Sequence, residues 1–91
     1  MAFVEITLED TTDAALGAFN AAAENVPELE QCHIITGSFD YLLKVRTKDS
    51  IDFRQVLVES LSELPHVART STYLAMETVK EAELNLLLDA D

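Results

Sequence analysis

The residues of this chain that could do chemistry are few, and their placement points away from catalysis. Its one cysteine, Cys32, adjoins one of its two histidines, His33, while the other, His66, lies far along the chain. A thiolate–imidazole pair needs both side chains on one side of the backbone, and neighbours on a strand point to opposite faces. Neither histidine has the Cys or His spacing of a metal site, so no metal and no cofactor is expected. His33 and His66 are read as satisfied by local hydrogen bonds, and Cys32 as a small buried apolar residue.

Two short segments carry more. The run Thr36-Gly37-Ser38-Phe39-Asp40-Tyr41 holds one of only two glycines, at a chain reversal where a positive φ would suit it. Its exposed amides and Ser38 could hold a carboxylate while the Asp40 carboxylate holds an ammonium, which makes a receptor for a zwitterion. The plainer alternative is that Gly37 makes the turn and Asp40 caps it. Thr70-Ser71-Thr72 supplies three consecutive hydroxyls. Lys44, Arg46 and Lys48 alternate and so share a strand face; cross-strand pairing with Glu5 or Glu77, or with acids of a facing subunit, is favoured there over an anion site.

These residues must be positioned by elements, and the chain announces them through an internal repeat. A shift of 38 residues lays Phe3 on Tyr41, Thr12 on Ser50 and Pro27 on Pro65. Each half opens with a β-rich run (3–8, 41–46), followed by a hydroxyl residue at a helix N-cap position, Thr12 and then Ser50. Apolar residues then recur at three- and four-residue steps: Leu16, Phe19, Ala23 and Val26 within 13–25, and Phe53, Val56, Leu57, Leu61 and Leu64 around 51–63. Each proline stops its helix, and a further strand follows, over 29–36 and 67–79. The order β-α-β, twice, predicts an α+β ferredoxin-like βαββαβ sandwich: a four-stranded antiparallel sheet in the order 4-1-3-2 with two helices on one face.

The strands alternate. Tyr41, Leu43 and Val45 oppose Leu42, Lys44 and Arg46, and Thr72, Leu74 and Met76 oppose Ser71, Tyr73 and Ala75. One face covers the helices; the other, bearing Leu42 and Tyr73, is expected to be covered by another subunit in a homodimer. The first strand separates the Gly37 turn from Thr70–Thr72 by roughly 10 Å between outer strands. A site using both is therefore expected between subunits or between dimers.

Composition narrows the function classes. The chain has 91 residues, 48% hydrophobic and 25% charged, which suits one small domain. With 17 acids against 6 bases its charge is −11, so it would repel a phosphate backbone, and direct nucleic-acid binding is not expected. No apolar run can span a bilayer, no signal peptide is evident, and a single cysteine suits a reducing compartment, so a cytoplasmic location is expected. A domain this short buries only roughly 60–65% of its unfolded surface, which leaves room for stabilisation by a partner subunit.

The run from Glu30 to Arg46, with its Gly-x-Phe-Asp-Tyr turn, resembles the effector-binding module, or RAM domain, of the leucine-responsive Lrp/AsnC family. Leu64-Pro65-His66-Val67, Thr70-Ser71-Thr72-Tyr73 and Met76-Glu77 are similar to that family's second helix end and last strand, and the likeness runs from about Phe3 to Lys80. The resemblance implies a fold that dimerises by its sheets, often assembles into octameric rings, and binds small effectors, usually amino acids, between dimers. By position it assigns Gly37, Ser38, Phe39, Asp40 and Tyr41 to the turn side of the effector pocket, hydroxyls to Thr70 and Thr72, and a further contact to His33. Family regulators carry an N-terminal helix-turn-helix, whereas this chain enters its first strand by Phe3, so a stand-alone module is expected. Ser38 replaces an acid common before the turn aromatic, so ligand preference does not carry over. Residues 1–80 are read as the module and 81–91 as a tail whose Leu84, Leu86, Leu87 and Leu88 form a short helix or cover a neighbour.

The resulting expectation is a non-enzymatic amino-acid sensor and oligomerisation module, able to co-assemble with a DNA-binding paralogue without itself touching DNA. The alternative is a small dimeric enzyme of isomerase or monooxygenase type, with a pocket between sheet and helices and His33 or His66 as base. A purely structural oligomerisation module is the third reading.

Overall fold

Strict period-two alternation builds the sheet. In the computed structural model, which describes residues 1–81, strand β1 (Ala2–Leu8) buries Ala2, Val4, Ile6 and Leu8 and leaves Phe3, Glu5 and Thr7 on the other side. The remaining elements are α1 (Asp13–Ala23), β2 (Leu29–Ile34), β3 (Tyr41–Val45), α2 (Ser50–Glu59), a 3-10 turn at Leu61–Glu63, and β4 (Val67–Leu74). The strands pair antiparallel in the order β2-β3-β1-β4, which is the expected 4-1-3-2. Inward residues of β1 and β3 join Phe19 and Ala23 of α1 and Phe53 and Val56 of α2 in one core, so both helices share a face of the sheet.

The helix starts follow capping chemistry. Thr12 Oγ1 accepts the Ala15 amide at 3.2 Å, as expected, and Asp10 in turn accepts both the Thr12 amide and its hydroxyl. Those bonds hold the Asp10 carboxyl below its ordinary range. In α2 the cap differs from the expectation: Asp49, not Ser50, accepts the Asp52 amide, at 2.8 Å, and Ser50 is the first helical residue. Asp52 answers by accepting the Lys48 amide at 3.0 Å. Two adjacent residues of capping type compete here, and the one three positions before an answering acid wins.

Other boundaries shift for physical reasons. β4 stops at Leu74 rather than continuing to 79, because its partner β1 is exhausted: the Ala75 amide already reaches the Met1 carbonyl. β2 stops at Ile34, short of 36. Leu64 is extended, as a residue before proline must be, and His66 turns the chain at φ 64°, with its carbonyl held by the Glu9 amide at 2.7 Å. Cys32, expected to be buried, is exposed; it faces inward opposite Leu43, but β2 is an edge strand that α1 does not fully cover. The neighbouring walls still desolvate its thiol and push its pKa up. The leucines expected to form a tail helix, Leu84, Leu86, Leu87 and Leu88, lie outside the described residues.

The cap assignment has a direct consequence. Asp49→Ala is expected to destabilise the fold by about 1 kcal/mol and Ser50→Ala by less than about 0.5 kcal/mol in urea unfolding. The reverse order would return the cap to Ser50.

Candidate functional site

The turn between β2 and β3 is fixed from both sides of the sheet. Its ends close through the Ile35 amide on the Asp40 carbonyl at 2.9 Å, and the Asp40 amide donates to the Ile6 carbonyl at 2.9 Å. The Asp40 carboxylate accepts the Leu8 amide at 2.8 Å, so it ties the turn to the end of β1. This bond is not the local cap of the turn that the plainer sequence reading gave to Asp40.

Tyr41 points inward. It is fully buried, its ring lies 4.2 Å from that of Phe19, and its hydroxyl donates to Asn20 Oδ1 at 2.5 Å. Burial pushes its phenol pKa up. Gly37 does not adopt a positive φ, contrary to expectation, and a Cβ there would meet only Ile35 Cγ2, at 3.8 Å. Within the turn, Ser38 is exposed and Phe39 half-buried, which leaves these two side chains free to meet a ligand.

Both border the helix-free face. A cavity of about 380 Å³ is lined by Ser38, Phe39, Glu5, Thr7, Arg69 and Ser71. The turn and the hydroxyl segment of β4 thus meet within one chain, across the outward residues of β1, where the sequence suggested they would stay apart. The outer strands are far apart at backbone level, and residues of both sides border one cavity across Glu5 and Thr7.

Register decides which hydroxyl takes part. Thr70 pairs with Ile6 and Thr72 with Val4, so both lie on the inward side of the sheet, whereas Ser71 pairs with Glu5 and Arg69 with Thr7 on the outward side. Thr70 instead borders a groove of about 410 Å³ with Leu57, Val58 and Leu64. Both threonines are exposed because β4 is an edge strand. His33 faces outward opposite Leu42, and its Nε2 lies 3.1 Å from Gln31 Oε1, the local bond expected of it. Glu5, Thr7, Arg69 and Ser71 were missed by sequence reasoning, although the alternation of β1 against β4 was the signal that could have found them.

The basic stripe resolves differently from its expectation. Lys44 Nζ lies 2.9 Å from Glu30 Oε1 and the Arg46 guanidinium grips the same carboxylate, so the partner is Glu30 rather than Glu5 or Glu77. A register shift in β2 between Leu29 and Gln31 turns Glu30 toward both cations. Hydrogen bonds from Arg46 and Lys44 hold the Glu30 carboxyl down to about 2. Glu5 is left with no ion-pair partner among the described residues.

A second cleft, of about 390 Å³, lies between α1 and β2 and is lined by Asn20, Glu24, Cys32, Ile34 and Tyr41 among others. Neither histidine borders it, so the base required by the enzyme alternative is not in the pocket that alternative needs. Among the described residues no cluster of His, Cys, Asp and Glu could hold a metal ion, and no helix is long and apolar enough to cross a membrane.

Two substitutions test the supports of the site. Asp40→Ala removes a charged acceptor from a part-buried amide and should lower unfolding stability by about 1–3 kcal/mol; a loss below about 0.5 kcal/mol would leave Asp40 free for another role. Glu30 has a depressed folded pKa, so its contribution is present above the ordinary glutamate range near pH 4.5 and is lost as pH falls toward 2. Stability of Glu30→Gln should therefore change less across that window than stability of the unaltered chain, and parallel curves would remove the pair from the account.

Comparisons with known proteins agree with this architecture. A family model described as the Lrp/AsnC ligand binding domain matches residues 1–84. A proline dehydrogenase transcriptional activator of Rhodobacter capsulatus is 54% identical over 79 residues, covering 87% of this chain and 51% of the relative. A leucine-responsive regulatory protein of Salmonella typhimurium is 44% identical over 82 residues, covering 90% of this chain and 50% of the relative. The chain thus spans about half the length of these relatives, which are regulators rather than enzymes. Among solved structures, a transcriptional regulator of Neisseria meningitidis in complex with L-Met aligns with a TM-score of 0.80 at 24% identity, over 90% of this chain and 53% of that one, and shows the same fold. A protein of Thermus thermophilus aligns with a TM-score of 0.72 at 29% identity, over 88% of this chain and 96% of its own.

Proposed function

The chain belongs to the Lrp/AsnC ligand-binding domain family, and on that basis we propose that it is an amino-acid-sensing and oligomerisation module of the regulators in that family. The observation that carries this reading is the turn. Asp40 and Tyr41 are spent on holding its shape, while Ser38 and Phe39 remain free at a cavity of small-molecule size. Of the set implied by resemblance, Gly37, Ser38 and Phe39 form the rim, Asp40 and Tyr41 position it, and Thr70, Thr72 and His33 serve a contact made with a second copy.

The uncovered face, with Phe3, Leu42 and Tyr73 beside charged residues, suits pairing of two copies, which assemble further into rings such as octamers. A ligand held only by the assembled form stabilises it by mass action, which turns effector concentration into oligomeric state. With a charge of −11 the module acts on DNA indirectly, by co-assembly with a DNA-binding paralogue in the cytoplasm.

Size-exclusion chromatography with light scattering, with and without each common L-amino acid at millimolar concentration, tests this. L-proline, L-leucine and L-methionine come first, since similar proteins bear those names or hold that ligand. A change in mass or in thermal midpoint with one of the amino acids is the expected result. Indifference of both mass and midpoint to the whole panel overturns the reading.

A further inference from the structure

The groove of about 410 Å³ that Thr70 borders runs beside the free edge of β4. β4 is an outer strand, hydrogen-bonded to β1 on one side only, and its consecutive residues Val67, Ala68, Arg69 and Thr70 line the groove. Successive strand residues point to opposite faces, so only a segment lying along the edge of the strand meets all four. On the helix side the wall is Leu57 and Val58 of α2, with Val58 66% exposed. On the helix-free side stands Arg69, which makes no ion pair among the described residues. The groove therefore suits an extended segment that is apolar on one side and acidic on the other.

The chain carries such a segment. Residues 82–91 read Ala-Glu-Leu-Asn-Leu-Leu-Leu-Asp-Ala-Asp. In an extended run Leu84, Leu86 and Leu88 share one side, while Glu83, Asp89 and Asp91 fall on the other. Which copy supplies it follows from where the described chain leaves off. β4 stops at Leu74, the end of the strand away from the groove. Glu81 is close enough to Arg46 to add to a rise in its pKa that the hydrogen bond to Glu30 mainly causes. Arg46 follows Val45, which pairs with Ala2, and Ala2 pairs with Leu74, so residue 81 is still at that end. Thr70 is four strand steps further, roughly 13 Å, and two strand spacings of roughly 5 Å each separate β3 from β4. Leu84 comes only three residues after Glu81, at most roughly 11 Å, and falls short of its own groove. Lys44, Arg46 and Glu30 mark the helix-free face, where a paired sheet would lie roughly 10 Å away.

We propose that residues 82–91 of one copy add as a fifth, edge strand to β4 of a second copy, with Leu84, Leu86 and Leu88 toward Leu57 and Val58, and the acids toward Arg69. This rests on the pairing of copies in the reading above and adds the segment that ties them together. Backbone hydrogen bonds to the unpaired edge of β4 supply affinity, and the alternate leucines set the register. By two-fold symmetry each copy gives one segment and receives one.

The exchange also covers an edge that would otherwise template unselective strand pairing, which an outer strand of eight residues invites.

Disulfide trapping of the full chain tests this in a Cys32→Ser background, which removes the one native cysteine. One chain carries Val58→Cys and another Leu86→Cys. Mixed and oxidised, they are expected to give a dimer with one chain of each kind, identified by mass spectrometry of the linked peptides. Leu86→Cys mixed with Ala21→Cys, an exposed position on α1, should give at least about tenfold less. Both substitutions in a single chain should give linked dimers rather than an internally linked monomer. Without any trapping, Val58→Asp and Leu86→Asp should each weaken association at least about tenfold in light scattering across a dilution series. An internally linked monomer, or an associated chain in which the two positions do not link, overturns the exchange and leaves the pairing of copies in place. A chain that stays monomeric at every concentration overturns both.

Discussion

Everything in this domain is referred to β1, an inner strand hydrogen-bonded to β3 on one side and to β4 on the other. Because it is central, it cannot slip by one residue without sending Ala2, Val4, Ile6 and Leu8 into water and Glu5 into the core. The same constraint that secures the core therefore fixes Glu5 and Thr7 on the opposite face, and with them the floor of the cavity. Core and site are two sides of one register.

The turn is held by a second application of that logic. Asp40 and Tyr41 are consecutive and so diverge, one to the Leu8 amide at the end of β1, the other between Phe19 and Asn20 beneath the sheet. A hairpin anchored only on one face could rock about its strand pair. Anchored on both, it presents Ser38 and Phe39 at a fixed height above β1, so the fold itself sets the rim of the cavity.

The fold was legible in the sequence because its signals are local and repeated. Proline stops, the apolar helix faces and alternation in β3 each stand within a few residues, and two copies of the pattern exclude most other topologies. The cap of α2 was misplaced by one residue because the repeat pairs Thr12 with Ser50, while the hydrogen bond follows the acid at Asp52. The site was only half legible. Ser38 and Phe39 lie beside a recognisable turn, but Arg69 and Ser71 become neighbours of that turn only through the β1–β4 register, a pairing of residues far apart in sequence. Thr70 and Thr72 attract attention as hydroxyls, yet a one-residue offset places them on the other face. Cys32 reads as buried because a free cysteine packs as a small apolar residue; that β2 lies at the edge of the sheet, only partly covered by α1, is a property of strand order.

Charge placement joins the cavity to assembly. In a chain with 17 acids and 6 bases, Lys44, Arg46 and Arg69 make half of the bases, and all three lie at the helix-free face or its rim beside Glu5 and Glu30. That face is close to charge balance while the rest of the molecule is strongly negative. Two such molecules approach at least electrostatic cost sheet to sheet, where Phe3, Leu42 and Tyr73 also offer apolar surface. A second copy docked there would roof the cavity and exclude water from it. The ion pairs at the edge of that face, Glu30 with Lys44 and Arg46, would then act through a lower effective dielectric. By linkage, a ligand that bound the paired form more tightly would strengthen the pairing by the same amount, with no hinge, lid or moving helix required.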